Sequence, residues 1–336
     1  MKAYELREEI GIEGVVLNPD RPTPEAGRGE ILVRVRATSL NYRDLLIARG
    51  AYRSGARPNV IPLSDGAGDV AAVGPGAARF KVGDRVAGAF FPGWPGGTAS
   101  AESISRALGG SVDGMLAEYV LLHETGAIAI PAHMTFEEGA TLPCAGLTAW
   151  NAVAEMANVR AGQTVLLLGT GGVSLFALQF AKLHGARAIL TSSSDDKLAM
   201  AKSLGADEII NYRETLDWHK KVVELTGGRG VDLVVEVGGA GTLERSLRST
   251  RVGGAIALIG VLAERAEVDP RLIMSRGARL QGIFVGSLEM FAAMNAALTE
   301  AQLRPVIDRV FPFEQAREAY AHLQSARHFG KVVIAV

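Results

Sequence analysis

The chain has 336 residues, 48% hydrophobic and 21% charged, a composition that supplies two buried cores and excludes long disordered tracts. A net charge of −1 gives nothing to attract nucleic acid or an anionic membrane, and one cysteine, Cys144, excludes an internal disulfide or a cysteine-rich metal cluster. The opening "MKAYELREEI" is charged where a secretory signal is apolar, and the longest apolar run, "GGAIALIGVLA" (253–263), is too short and glycine-rich to span a bilayer, so a soluble cytoplasmic protein is expected.

The first third reads as β-structure. In "EILVRVRATSL" (30–40), Val33 and Val35 alternate with Arg34 and Arg36, the pattern of a half-buried strand. "GDVAAVG" (68–74), "DRVAGAF" (84–90) and "LAEYVLL" (116–122) are similar short runs bounded by turn residues. Segment 92–114 is rich in Gly, Ser and Ala and reads as an inserted loop with a short helix around "AESISRAL". Phe90, Phe91 and Trp94 at its start border a binding cleft, hold the insert to its own domain, or join a subunit contact.

Beyond about residue 135 the pattern becomes strand–helix alternation. "TVLLLG" (164–169), "RAILT" (187–191), "DEIINY" (207–212), "VDLVVEV" (231–237), "AIALIG" (255–260) and "LQGIFVG" (280–286) are near-continuous apolar strands. Such strands, separated by helices, predict a six-stranded parallel sheet buried on both faces, the doubly wound Rossmann arrangement. The tail (304–336) returns to an amphipathic helix and a strand, which implies that it rejoins the first domain. The expected division is 1–130 with 288–336 as the β-rich domain, and 131–287 as the nucleotide-binding domain.

"VLLLGTGGVSLFALQFAK" (165–182) is strand, glycine turn and helix. Gly169 and Gly171 permit a tight turn and close backbone approach to a pyrophosphate. Gly172 and Val173 open a helix whose free N–H groups and positive dipole end face the phosphates. Ser174 stands where a third glycine is usual and is small enough for helix–strand packing. NAD sites usually carry an acidic residue after the second strand to hold the ribose 2′-hydroxyl. Here the stretch is "LTSSSDDK" (190–197), with Ser192, Ser193 and Lys197 suited to a 2′-phosphate and Tyr212 placed toward the adenine. NADP(H) is the expected cofactor, although the same serines and Asp195 also read as caps of the next helix.

With "LNYRDLLIARG", "LSDGAGDVAAVGPGAARFKVGDRV", "LPCAGLTAW" and "ARHFGKVVIAV" in that order, nearly the whole chain resembles the medium-chain dehydrogenase/reductase superfamily, most of all its zinc-independent quinone oxidoreductase-like and alcohol dehydrogenase-like members. The resemblance implies a GroES-like β-rich catalytic domain, a Rossmann domain, an active-site cleft between them, and homodimers or homotetramers paired through the last Rossmann strand. It also implies that Thr148, Gly260, Val261, Phe284 and Val285 meet the nicotinamide side, and that Lys331 reaches the pyrophosphate. The catalytic zinc of related enzymes is held by Cys, His and Cys, but the corresponding positions here are Asn41, Ser64 (followed by Asp65) and Cys144. One thiolate with Asn and Ser is a poor set for zinc, so no metal is expected. The six histidines show no metal spacing.

Without a Lewis acid, the chemistry left is hydride transfer to an acceptor that is already electrophilic, such as a quinone or an α,β-unsaturated carbonyl, and the substrate is small and apolar. The family resemblance implies that Asn41 lies beside the nicotinamide ribose or substrate oxygen. Tyr42 or Arg43 would donate to the developing anion, with Asp44 orienting them and Tyr52 a further candidate. Tyr42 reads equally as a half-buried aromatic, and Asp44 as a helix cap or ion-pair partner. Two other readings stay open: an alcohol/aldehyde dehydrogenase with a metal on Asp65 and Cys144, and a cofactor-binding protein without catalysis.

Overall fold

Strand Glu30–Leu40 shows how the β-rich unit is built. Ile31, Val33 and Val35 are buried while Arg34 between them is exposed, as pleat alternation requires. From Ala37 to Leu40 every residue is buried, so both faces of the strand are covered at that end. Around it a sheet runs in the order Ile307–Pro312, Lys331–Ala335, Glu30–Leu40, Asp65–Val73, Arg85–Gly88, Ala127–Ala129, and Tyr119–His123 also pairs with Glu30–Leu40. The two C-terminal strands pair parallel and the remaining pairs are antiparallel. Because Val332 to Ala335 lie opposite Leu40 to Ala37, the end of the chain completes the sheet begun near its start.

The computed structural model describes residues 1–52, 57–260 and 267–336. It divides into Met1–Leu147 with Gly286–Val336, and Thr148–Val285. The crossings therefore fall after Leu147 and Val285, rather than after 130 and 287. Residues 131–147 are tied to the first unit by specific bonds. Thr135 and Glu138 close a reciprocal cap on helix Phe136–Gly139, Ser39 Oγ donates to the Ala140 carbonyl (2.9 Å), and Arg304 pairs with Glu138.

Segment 92–114 forms turns, not the expected helix around "AESISRAL". Ser100 and Ser103 bond each other's backbone N–H groups, and Ser105 Oγ donates to the Glu102 carbonyl. Serine side chains thus satisfy groups that a helix would have paired. Phe90, Phe91 and Trp94 are at most 5% exposed, with Phe90 and Phe91 in edge contact at 4.6 Å, so they hold the insert to its own unit.

The second unit is a six-stranded parallel sheet in the order Glu208–Asn211, Arg187–Ser192, Thr164–Leu168, Val231–Glu236, Thr250–Leu258, Arg279–Gly282. The order reverses between the strands that begin at Thr164 and Val231, which is the doubly wound arrangement. Strands Thr164–Leu168 and Val231–Glu236 are buried throughout, while the last strand is mostly exposed. The chain is thus an α/β protein with a β-rich GroES-like unit and a Rossmann unit. No described helix is long and apolar enough to cross a membrane.

Candidate functional site

In a parallel sheet all carboxyl ends lie on one edge, and here that edge gathers the glycine turns. After strand Thr164–Leu168, Gly169 turns with φ +75° and open space where a side chain would be. Gly171 precedes helix Gly172–Leu183, so the backbone N–H groups of Gly172, Val173 and Ser174 lie in its unpaired first turn. Ser174 is buried and its hydroxyl donates to the Leu168 carbonyl (2.7 Å), locking the helix to the strand it follows. The serine therefore adds a hydrogen bond where a third glycine would give only space.

Ser192 ends the second strand at 4% exposure, opposite Asn211, and its carbonyl accepts the Tyr212 N–H (3.0 Å). The fold thus brings Ser192 and Tyr212 together, with the Tyr212 ring 41% exposed. Ser193 is half-buried. Ser194, not Ser192 or Asp195, caps helix Asp195–Ser203 by accepting the Lys197 N–H. Asp195 instead accepts from Asn211 Nδ2 (2.8 Å).

Gly260 follows the fifth strand. A Cβ there would meet the Val237 carbonyl at 2.0 Å, so only glycine permits this approach, and its N–H donates to the Glu236 carbonyl (2.9 Å). Val261 lies outside the described residues. After the sixth strand Phe284 is 55% exposed, whereas Val285 is 8% exposed with φ +46°. Thr148 is buried, in a one-turn helix between two π-helical segments.

Glu236, the fully buried end of the fourth strand, belongs to none of the site motifs above. Its Oε1 accepts from Gly238 N–H (2.8 Å), Gly239 N–H (2.9 Å) and Thr242 Oγ1 (2.6 Å), and Ser246 Oγ donates to Oε2. The carboxylate is saturated by donors and shapes the loop at this edge. The signal was present in "VVEVGG": a charge ending an apolar run just before two glycines.

In the β-rich unit, "NYRD" begins helix Tyr42–Ala48. Asp44 Oδ2 accepts the Asn41 N–H (2.7 Å), the capping-box role that the sequence also allows for it. Burial, against the opposing pull of the Arg43 charge, raises its pKa to about 6. Arg43 is buried over the Phe90 ring (4.5 Å) and beside Tyr52 (5.3 Å), and donates to the Leu108 carbonyl (3.1 Å) and Asp44 (3.4 Å). Tyr42 is 37% exposed.

Lys331 is enclosed within its own unit. It is 3% exposed, and its ammonium donates to Asn41 Oδ1 (2.6 Å) and the Leu40 carbonyl (2.7 Å), with Asp65 Oδ2 at 3.5 Å. Its charge faces the fully buried Asp65, which requires a counter-charge. Ser64 and Ser39 also donate to Asp65 (2.8 and 3.2 Å). Cys144 is half-buried in a π-helical turn, and burial first, then the Asp65 charge, drives its thiol pKa far up.

Two family models match: an alcohol dehydrogenase GroES-like domain over residues 27–132 and a zinc-binding dehydrogenase domain over 172–300. A zinc-type alcohol dehydrogenase-like protein of Schizosaccharomyces pombe is 44% identical over 92% of this chain and 91% of its own. Human quinone oxidoreductase is 29% identical over 96% and 94%. Among solved structures, one described as an NAD-dependent alcohol dehydrogenase is 36% identical with a TM-score of 0.91, covering 100% of both chains. A mycobacterial protein solved with NADPH is 30% identical with a TM-score of 0.84, again covering 100% of both. A β-rich unit and a six-stranded Rossmann sheet, matched over this length, make the chain an oxidoreductase of the medium-chain dehydrogenase/reductase family.

Proposed function

We propose that the protein is a zinc-independent, NADP(H)-dependent reductase of quinones or α,β-unsaturated carbonyls. The observation that carries this reading is the buried Lys331 ammonium, bonded to Asn41 and close to Asp65. Asn41, Ser64 and Cys144 stand at the ligand places of the zinc-dependent relatives. Asn41 Oδ1 already receives the ammonium, Ser64 donates to Asp65, and the Cys144 thiol resists ionisation. A divalent cation there would face a resident positive charge and lack a ready thiolate. This donor set does not fit zinc.

The glycine turn does fit a dinucleotide, with open space where a Gly169 side chain would be and, among the described residues, no side-chain cap on the N–H groups at the start of helix Gly172–Leu183. The reduced nicotinamide, when bound, supplies hydride. The residues of this chain bind it and steady the charge on the acceptor oxygen. Of the "NYRD" group, Arg43 and Asp44 are buried, whereas Tyr42 keeps an exposed ring, so Tyr42 is assigned as the donor to the developing anion. NADP over NAD rests on the absence of a carboxylate at Ser192 and Ser193, with Lys197 in the helix turn that follows. Assembly is proposed as a homodimer or homotetramer through the exposed edge strand Arg279–Gly282. A cytoplasmic location completes the reading.

The test is oxidation of NADPH and of NADH against quinones, enones and aldehydes, with and without a strong chelator, alongside metal analysis. Turnover with a quinone or enone that survives chelation, and prefers NADPH, is expected. A second reading, alcohol dehydrogenase activity, is favoured by the name of the 44%-identical relative. Stoichiometric zinc together with alcohol oxidation abolished by the chelator would establish it instead.

A further inference from the structure

Val285 is a β-branched residue at φ +46°, a region such residues rarely enter, and it is only 8% exposed. It stands just past the last parallel strand, whose final ladder bond runs from the Ile283 N–H to the Leu258 carbonyl (2.9 Å). Among the described residues, no ladder bond reaches it. What holds it is a side chain distant in sequence: Asn151 Nδ2 donates to the Val285 carbonyl at 2.8 Å. Asn151 is itself buried, and it begins the π-helical segment Asn151–Met156, an arrangement common at functional sites.

The position of this turn gives the contact its meaning. A dinucleotide lies across the carboxyl edge of such a sheet, one half over the strands on each side of the order reversal. Ser192 and Tyr212 mark the adenosine half, and the strand ending at Gly282 belongs to the other. We propose that Asn151 is a positioning residue for the nicotinamide half of the cofactor: by holding the Val285 carbonyl, it fixes the strained 284–285 backbone that bounds that half. This rests on the dinucleotide reading given under the proposed function.

The test compares NADPH with 2′,5′-ADP, which carries the adenosine half alone, and NADH with ADP as the parallel pair. Removing the one bond by Asn151→Ala is expected to weaken NADPH (or NADH) binding about tenfold while the adenosine fragment binds as before. Hydride delivery from cofactor stereospecifically deuterated at C4 is expected to lose its facial fidelity, which a purely structural defect would not change. Asn151→Asp, which keeps the size but loses the donor, should behave alike. Combined with Val285→Gly, which adopts the positive φ without restraint, Asn151→Ala should cost about twofold or less. Equal weakening of whole cofactor and fragment, or unchanged binding with intact facial fidelity, overturns the assignment alone. Wild-type protein that binds neither cofactor nor fragment overturns it together with the dinucleotide reading.

Discussion

Asp44 carries the most quantitative consequence of the buried Arg43–Asp44 pair in "NYRD". Its carboxyl has a pKa raised from 3.8 to about 6, chiefly by burial, with Arg43 opposing. A group whose pKa is higher in the folded state favours folding when protonated. Its contribution is therefore fully present below about pH 3.8, declines as pH rises, and is gone above about pH 6. A difference of about two units is worth about 3 kcal/mol in all, and about 2 kcal/mol of it falls between about pH 4.5 and pH 8. Asp44→Asn keeps an oxygen to accept the Asn41 N–H and removes the titration.

The assay is urea unfolding of wild type and Asp44→Asn across that range, read as the difference between the two. Every other titrating group is common to both proteins and cancels. The variant should gain about 2 kcal/mol on wild type as pH rises from about 4.5 to 8, with the change complete by about pH 7. A difference that stays flat would show that Asp44 ionises as an ordinary carboxylate and that Arg43 offsets burial. That result would also remove the case for a desolvated charge cluster at the start of this helix.

Lys331→Met should destabilise the protein by about 3–5 kcal/mol, because it strands Asp65 as an unpaired buried charge. Adding Asp65→Asn should recover most of that loss in thermal unfolding, and failure to recover would mean that the ammonium matters for something other than compensation. Gly260→Ala should cost several kcal/mol and weaken cofactor binding, since its Cβ would lie 2.0 Å from the Val237 carbonyl carbon and oxygen; unchanged melting would refute the close approach. Cys144→Ala should leave turnover largely intact, and the thiol of the folded wild type should react slowly with a disulfide reagent at neutral pH. Collapse of activity in a folded Cys144→Ala protein would return this residue to the chemistry.

What the sequence displayed and what it concealed divide along the range of the interactions. Apolar runs such as "TVLLLG" and "VDLVVEV" announce buried parallel strands because every position points into a core. The glycine turn at 169–172 is equally open, since the backbone conformation depends on residues next to one another. The insert forms no helix because serines bonding the backbone locally override the helix-like composition at 101–108. Lys331, Glu236 and Asn151 were hidden for the opposite reason. Lys331 meets Asn41 across the sheet, 290 positions away in sequence. Glu236 looks like one more strand residue until Gly238, Gly239, Thr242 and Ser246 converge on it. Asn151 reaches Val285 over 134 positions. In each case a polar group leaves water only because folding delivers a partner to it, and the identity of that partner is set by topology rather than by neighbours in sequence. The same logic bears on Lys331. In the motif alone it is a cation free to find a phosphate, but once Asp65 is buried without solvent, leaving that carboxylate unpaired costs more than any surface contact returns. The lysine is therefore held inside, against the buried Asp65.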